Sequence, residues 1–450
     1  MTIDAPSAFL ALPFAALLGA IAVLPLVPAA AHAWERNRSK LLASLVLGAV
    51  VLLHYAWRGW GYHGAEAGGR SVLAVLEHAV LRDYVPFLVL LFSLYSIAGG
   101  LWIEGDLRAR PAVNVAFLAV GAVAASLVGT TGASMILIRP LLQTNSGRTH
   151  VRHTVIFFIF VVSNVGGCLL PIGDPPLFLG YLQGVPFFWT LRLFGPWLFT
   201  VSLLLAIYYA WDVVAYRREP AEAIAAEAAK YVPPRLGGKR NLAWIALAVL
   251  TVALVVPGRA LPGTSVAAPP FLREAILLAL AGLSALTTPP GLRILTGFTL
   301  APMAEVACLF LGIFVTMQPT LEILRARGRD LGIESPRAFF WMTGGLSGLL
   351  DNAPTYVALL EVARSLPARA GVEVVGLIGD GTVDSGRLAA ISLGSVFLGA
   401  MTYIGNGPNL MVKSIAESRG VAMPSFFGYA GYSLVVLLPV LALAASLFVG

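Results

Sequence analysis

Residues 163–184 read SNVGGCLLPIGDPPLFLGYLQG. The run is apolar apart from its middle, where Ile172-Gly173-Asp174-Pro175-Pro176 interrupts it, and Asp174 is its only charge. An apolar run of about this length crosses a bilayer as a helix. Proline removes a backbone donor and clashes with the preceding turn, so Pro175-Pro176 opens that helix at mid-depth. Non-helical backbone inside a membrane is tolerated only where it is buried in protein or lines a wet cavity. The stretch therefore reads as a broken spanning helix with a carboxylate at the break.

The whole chain agrees with a membrane setting. Of 450 residues, 58% are hydrophobic and 12% charged, with mean hydropathy +0.83, against about 25% charged in soluble proteins. A globule still needs a polar shell, which argues against a soluble enzyme, a disordered chain or a secreted disulfide scaffold. The 46 glycines and 29 prolines exceed what straight spans need. Cys168 and Cys308 each lie in apolar runs, with neither a disulfide framework nor metal spacing. The net charge of +7 is spread over short loops, so it reads as positive loops beside spans, and no nucleic-acid partner is expected. Only Asp4 precedes the first apolar run, which reads as a retained span.

Apolar segments fall at 8–30, 39–57, 84–103, 112–128, 154–170 and 189–214, then at 241–256, 271–288, 300–324, 337–350, 388–404 and 426–449. Between them, 215–240 is charged and alanine-rich and reads as a linker carrying a short surface helix. The flanking halves repeat one another. Ile172-Gly173-Asp174-Pro175-Pro176 aligns with Ile404-Gly405-Asn406-Gly407-Pro408, and Thr130-Thr131-Gly132-Ala133-Ser134 takes the place of Leu350-Asp351-Asn352-Ala353-Pro354. The segments around these second motifs are too short to span singly. They read as re-entrant hairpins over about 112–143 and 337–366, with tips at 129–134 and 350–355.

The expected architecture is an all-α polytopic membrane protein. Residues 1–214 and 241–450 would form an inverted repeat, each with five spans and one hairpin, joined by a cytoplasmic linker at 215–240. Paired interrupted segments are the sequence pointer to a transporter binding site.

Asp174 and Asp351 are the first candidates for that site, because an intramembrane carboxylate is costly and functional by default. A helix cap explains either one as well, and both roles can coexist. Two carboxylates in one dry site repel, and burial favours the neutral form, so the pair suits exchange of protons for a small cation. Sodium, a hard cation, would take Asp174 and Asp351 as ligands. Neutral oxygens would come from Asn164, Asn352, Asn406, Asn409, Thr130, Thr131, Ser134, Thr355 and Thr402, with backbone carbonyls freed at Gly173 and Gly405. Glu305, in the apolar run APMAEVACLFLGIFV, is a candidate proton relay, the partner of a buried arginine, or a residue near the interface, five residues after the span begins. Arg139 and Lys413 follow the breaks; they would snorkel to the interface or attract an anion.

SNVGGCLLPIGDPPLFLGYLQGVPFFW, LDNAPTY and YIGNGPNLM together resemble the ion transporter superfamily, in its branch of bacterial citrate transporters and sodium/proton antiporters. The likeness covers roughly 80–450. It implies a scaffold and a moving transport domain, commonly a homodimer in the bacterial inner membrane, with cation and substrate sites at the hairpin tips and breaks. Divalent anion symporters of this superfamily carry Ser-Asn-Thr at the tips. Here the tips read Thr131-Gly132-Ala133 and Asp351-Asn352-Ala353, while the breaks read Asp174-Pro175-Pro176 and Gly407-Pro408-Asn409. Asn352 and Asn409 carry over, but the anion-binding pattern does not. The expected function is therefore sodium/proton antiport without a resident cofactor, with sodium- or proton-coupled citrate or dicarboxylate symport as the alternative. No enzyme motif is present.

Overall fold

Backbone groups in hydrocarbon must be satisfied internally, so long apolar runs become helices. The computed structural model describes residues 7–62, 64–220, 222, 231–379 and 381–450. In the first half the helices are Ala8–Leu26 (α1), Asn37–Trp57 (α2), Gly69–Ala98 (α3), Pro111–Val128 (α4), Thr130–Thr144 (α5), Arg152–Cys168 (α6), Pro175–Leu182 (α7) and Phe187–Tyr216 (α8). The second half holds Arg240–Leu254 (α9), Leu272–Thr287 (α10), Ala301–Leu331 (α11), Pro336–Leu349 (α12), Asn352–Ser365 (α13), Ser385–Met401 (α14), Gly407–Ser418 (α15) and Phe426–Phe448 (α16). Among the described residues, seven helices (α1, α2, α3, α4, α8, α11 and α16) are long and apolar enough to cross a membrane, and α6, α9 and α14 are shorter apolar helices. The protein is a multi-pass membrane protein.

Several boundaries differ from the hydropathy reading. Helix α3 starts at Gly69 instead of 84 because its first turns carry Glu77, His78, Arg82 and Asp83, which lower the hydropathy without ending the helix. The first hairpin turns at Gly129 alone, with φ +81°, and helix resumes at Thr130. The expected tip at 129–134 is thus one residue. In the second hairpin the turn is Leu350-Asp351, and Asn352 is already helical. Residues 221 and 223–230, where the linker helix was expected, lie outside the described residues, as does Asp4. Val232–Gly237 (β2), within the same linker, pairs antiparallel with Trp102–Asp106 (β1). A second two-stranded pair, Val374–Gly376 (β3) with Thr382–Asp384 (β4), precedes α14.

Two cross-half contacts position the site. Helix α13 packs on α7, and α15 packs on α5, so each hairpin lies against the broken helix of the other half. Tyr356 of α13 packs so closely on Gly180 of α7 that a Cβ there would stand 2.3 Å from its hydroxyl. The hairpin α12–α13 packs in turn on α14. As a result the N-terminal ends of α5, α7, α13 and α15 converge.

Candidate functional site at the converging helix ends

Asp174 sits where those four ends meet and is 1% exposed. Its position before Pro175 disfavours helix, and it is extended, with φ −144° and ψ 142°. The side chain makes no cap hydrogen bond to α7, so capping does not account for it. Instead its Oδ1 accepts from Thr130 Oγ1 at 2.9 Å and Asn406 Nδ2 at 2.9 Å, and Oδ2 accepts from Asn352 Nδ2 at 2.7 Å. Thr130 and Asn352 are the first residues of the second helix in each hairpin. Asn406 precedes α15 with φ −153° and ψ 140°, the Asp174 conformation repeated. Each helix N-terminus contributes a partial positive charge of about half an elementary charge, so four of them together make this point electropositive.

An asparagine network extends from Asp174. Asn406 Nδ2 also donates to Ser163 O and Asn164 Oδ1, at 3.1 and 3.2 Å. Asn164 Nδ2 donates to Asn409 Oδ1 at 2.7 Å, and Asn409 Nδ2 holds Gly399 O and Thr402 O at 3.0 and 2.9 Å. Ser134 and Ser163 hydroxyls bond at 2.9 Å. The backbone approaches as closely as glycine permits. A Cβ on Gly173 would lie 2.2 Å from Gly167 O, and one on Gly405 would lie 2.5 Å from Gly399 O.

Beside this network is a cavity of about 70 Å³. Its polar side is formed by Thr130, Thr131, Gly173, Asp351, Asn352 and Asn406, and Phe87, Tyr95, Met303 and Phe310 of α3 and α11 contribute to its apolar side. Among the described residues no lysine, arginine or histidine lines it. Asp351 lines the cavity directly, whereas Asp174 lies behind Gly173 and Pro175. Asp351 Oδ1 accepts from Ala353 N at 3.0 Å and so caps α13. Among the described residues Oδ2 accepts no hydrogen bond.

The structure thus gathers Asp174, Asn352, Asn406, Asn164, Asn409, Thr130, Asp351, Gly173 and Gly405, with Ser134 at the edge and Thr131 on the cavity wall. Other expected ligands are engaged elsewhere. Thr355 Oγ1 donates to Asp351 O, one turn back, and Thr402 Oγ1 donates across to Gly348 O of the second hairpin, so both hydroxyls bond backbone at the edge of the site and neither lines the cavity. Glu305 does not line the cavity. Its side chain is 50% exposed and pairs with Lys40 at 2.5 Å, which corrects the arginine expected as its partner. Lys413 pairs with Glu417 one turn along its own helix, and Arg139 lies against Gly297; neither lines the cavity. Sequence reasoning missed Asp212, which is fully buried and bound by Arg148, His153, Asn114 and Tyr208. The signal was present, since Asp212 is the lone acid in the apolar run of α8.

A multi-pass fold with two broken helices and two hairpins meeting over a small polar cavity defines a membrane transporter. The chain belongs to the family described as "Putative citrate transport", whose model matches residues 4–449. No curated relative matches the sequence.

Proposed function

We propose that the protein is a secondary active transporter exchanging sodium for protons by alternating access. The carrying observation is the charge of the site: a cavity that no basic residue lines, with Asp351 on its wall and Asp174 directly behind. A cation entering it meets carboxylate and carbonyl oxygens, the ligands hard cations take. Room is also limiting. A cavity of about 70 Å³ is roughly half the ~150 Å³ that holds one benzene, so it suits an ion and water better than a tricarboxylate. In this mechanism Asp351 meets the cation first. Asp174 holds the ends of both hairpins and both broken helices, so its charge state is felt by every moving part.

We further propose that the halves form an inverted repeat of five crossings and one hairpin each. In support, helix ends meet in two consistent groups. The ends near Gly99, Gly100, Asn241 and Thr296 bond to one another on the linker side, as do Arg152 and Ala422. On the opposite side Arg58 meets Glu322, Arg192 meets Glu373, and Arg337 meets Val449. Basic residues at 36–40, 108–110 and 148–152 share the linker side, which supports a cytoplasmic linker, while Arg325, Arg327, Arg329 and Arg337 weigh on the other side.

Citrate symport is the second reading. The family description favours it, and four converging helix N-termini would suit a carboxylate substrate. Asp174 itself occupies that anion-favouring point, which is why cation exchange ranks first. Purified protein in proteoliposomes separates the two. Sodium-driven proton movement that disappears in Asp174→Asn and Asp351→Asn supports antiport. Gradient-driven uptake of labelled citrate, with no sodium-driven proton movement, replaces it.

A further inference from the structure

A second cleft lies apart from the proposed transport cavity. A cleft of about 660 Å³ opens on the linker side, between the α5–α6 loop, the end of α8 and the loop after α15. Arg148, Arg152, Arg218 and Arg419 line it, together with His150 and His153, and among the described residues no aspartate or glutamate does. Two acids are sealed behind its wall. Asp212 and Glu219 side chains are both 0% exposed. Asp212 binds Arg148 through two nitrogens and His153 through Nε2. Burial disfavours the Glu219 charge, but the backbone N–H groups of Thr149 and His150 outweigh it and hold its carboxyl below the usual range.

The buried acids therefore fix Arg148 and the loop in place without cancelling the charge that faces the cleft. Arg218 and Arg419 are exposed, and their side chains make no hydrogen bond among the described residues. Trp211, 37% exposed, stacks on His153 at the rim, and Val214, Val421 and Tyr432 complete an apolar wall. Tryptophan and tyrosine of this kind sit at headgroup depth.

We propose that this cleft binds a phosphate-bearing anion, with the phosphate held between Arg218, Arg419 and Arg152. Guanidinium groups bind phosphate oxygens through paired donors, and basic pockets between spanning helices on the cytoplasmic side take anionic headgroups. The chemistry is shared by an anionic phospholipid and by free phosphate; the apolar wall beside the arginines fits the lipid. The cleft joins elements from both halves, so its ligand ties the end of the first hairpin to the loop after α15.

The test is thermal unfolding of the full chain in detergent with short-chain phosphatidylglycerol, short-chain phosphatidylcholine, inorganic phosphate or citrate. Phosphatidylglycerol raising Tm more than phosphatidylcholine supports the lipid source; phosphate alone raising it supports the soluble source. Either shift is lost in Arg218→Gln/Arg419→Gln, with affinity about 30-fold weaker, and kept in part in Arg218→Lys/Arg419→Lys, which retains the charge without the paired donors. The lysine pair also controls for folding. The proposal fails if neither phosphate compound shifts Tm, if the glutamine pair keeps the full shift, or if citrate stabilises as well as phosphate does.

Discussion

The two broken helices share one backbone and carry different chemistry. Asp174 and Asn406 precede α7 and α15 with nearly the same dihedrals. Gly173 and Gly405 are packed against Gly167 and Gly399 in the same way, and Ser126 and Ser347 each donate to a backbone oxygen of the helix that precedes the facing break, Gly166 O of α6 and Ser395 O of α14. Yet one break ends in a carboxylate and the other in an amide. The amide donates to the carboxylate, so the difference between the halves is what joins them. Two aspartates would repel there, and two asparagines would leave the start of α13, capped by Asp351, as the one helix end of the four with a carboxylate beside it.

Making the breaks alike is the strongest way to test this. Asp174→Asn should reduce sodium/proton exchange to background in proteoliposomes while size-exclusion chromatography still shows a folded protein. The same variant should gain affinity for small anions, measured by chloride- or citrate-dependent Tm, because the helix ends lose their built-in counter-charge. Without a gain, the N-termini do not act together on this point. Asn406→Asp equalises the breaks the other way. It replaces a donor with a second buried charge, a change on the order of 3–5 kcal/mol, and should lower Tm by many degrees. An Asn406→Asp protein as stable as wild type would show that the two residues do not face one another.

Smaller changes sharpen the contrast. Thr130→Val removes one of three hydrogen bonds to the Asp174 carboxylate, about 1.5–3 kcal/mol for a bond to a charged group. Exchange should show about a tenfold higher KM for sodium, and Thr130→Ser should restore it. A weaker comparison lies at the helix starts. Asp384 caps α14 through Gly386 and Arg387 N–H, whereas no side chain caps the start of α6. Burial opposes the Asp384 charge, but Arg369 and the N–H groups hold its carboxyl down at about 2. A depressed value gives stability that is full above the unfolded value of about 4 and is lost as pH falls through about 2. Wild-type Tm should therefore drop more than that of Asp384→Asn across that window. Glu305→Gln should change exchange less than twofold by the dequenching assay, since Glu305 faces Lys40 and not the cavity.

Much of the site was legible because membranes make exceptions visible. Asp174 is the only charge in its run, and the flanking glycines and prolines have no use in a straight span. Thr355 and Thr402 were not separable in the sequence from the hydroxyl that reaches Asp174, because a threonine bonded to backbone has the same sequence signature as one bonded to a carboxylate. Glu305 misled for a related reason: Lys40, its partner, is far away in sequence. The register of the hairpins also slipped. Thr130 corresponds in space to Asn352, since both begin a helix and both donate to Asp174, whereas the sequence match set it beside Leu350.

The sequence by itself determined the membrane class, the two breaks and the identity of the lone carboxylate. Hydropathy and proline act locally, so they can be read along the chain. Only the tertiary structure decided that α13 lies on α7 and α15 on α5, and therefore that Asn352 and Asn406 satisfy Asp174. Those partners are separated from it by more than 170 residues. A hydrogen bond over that distance depends on how helices pack, and no local pattern encodes it.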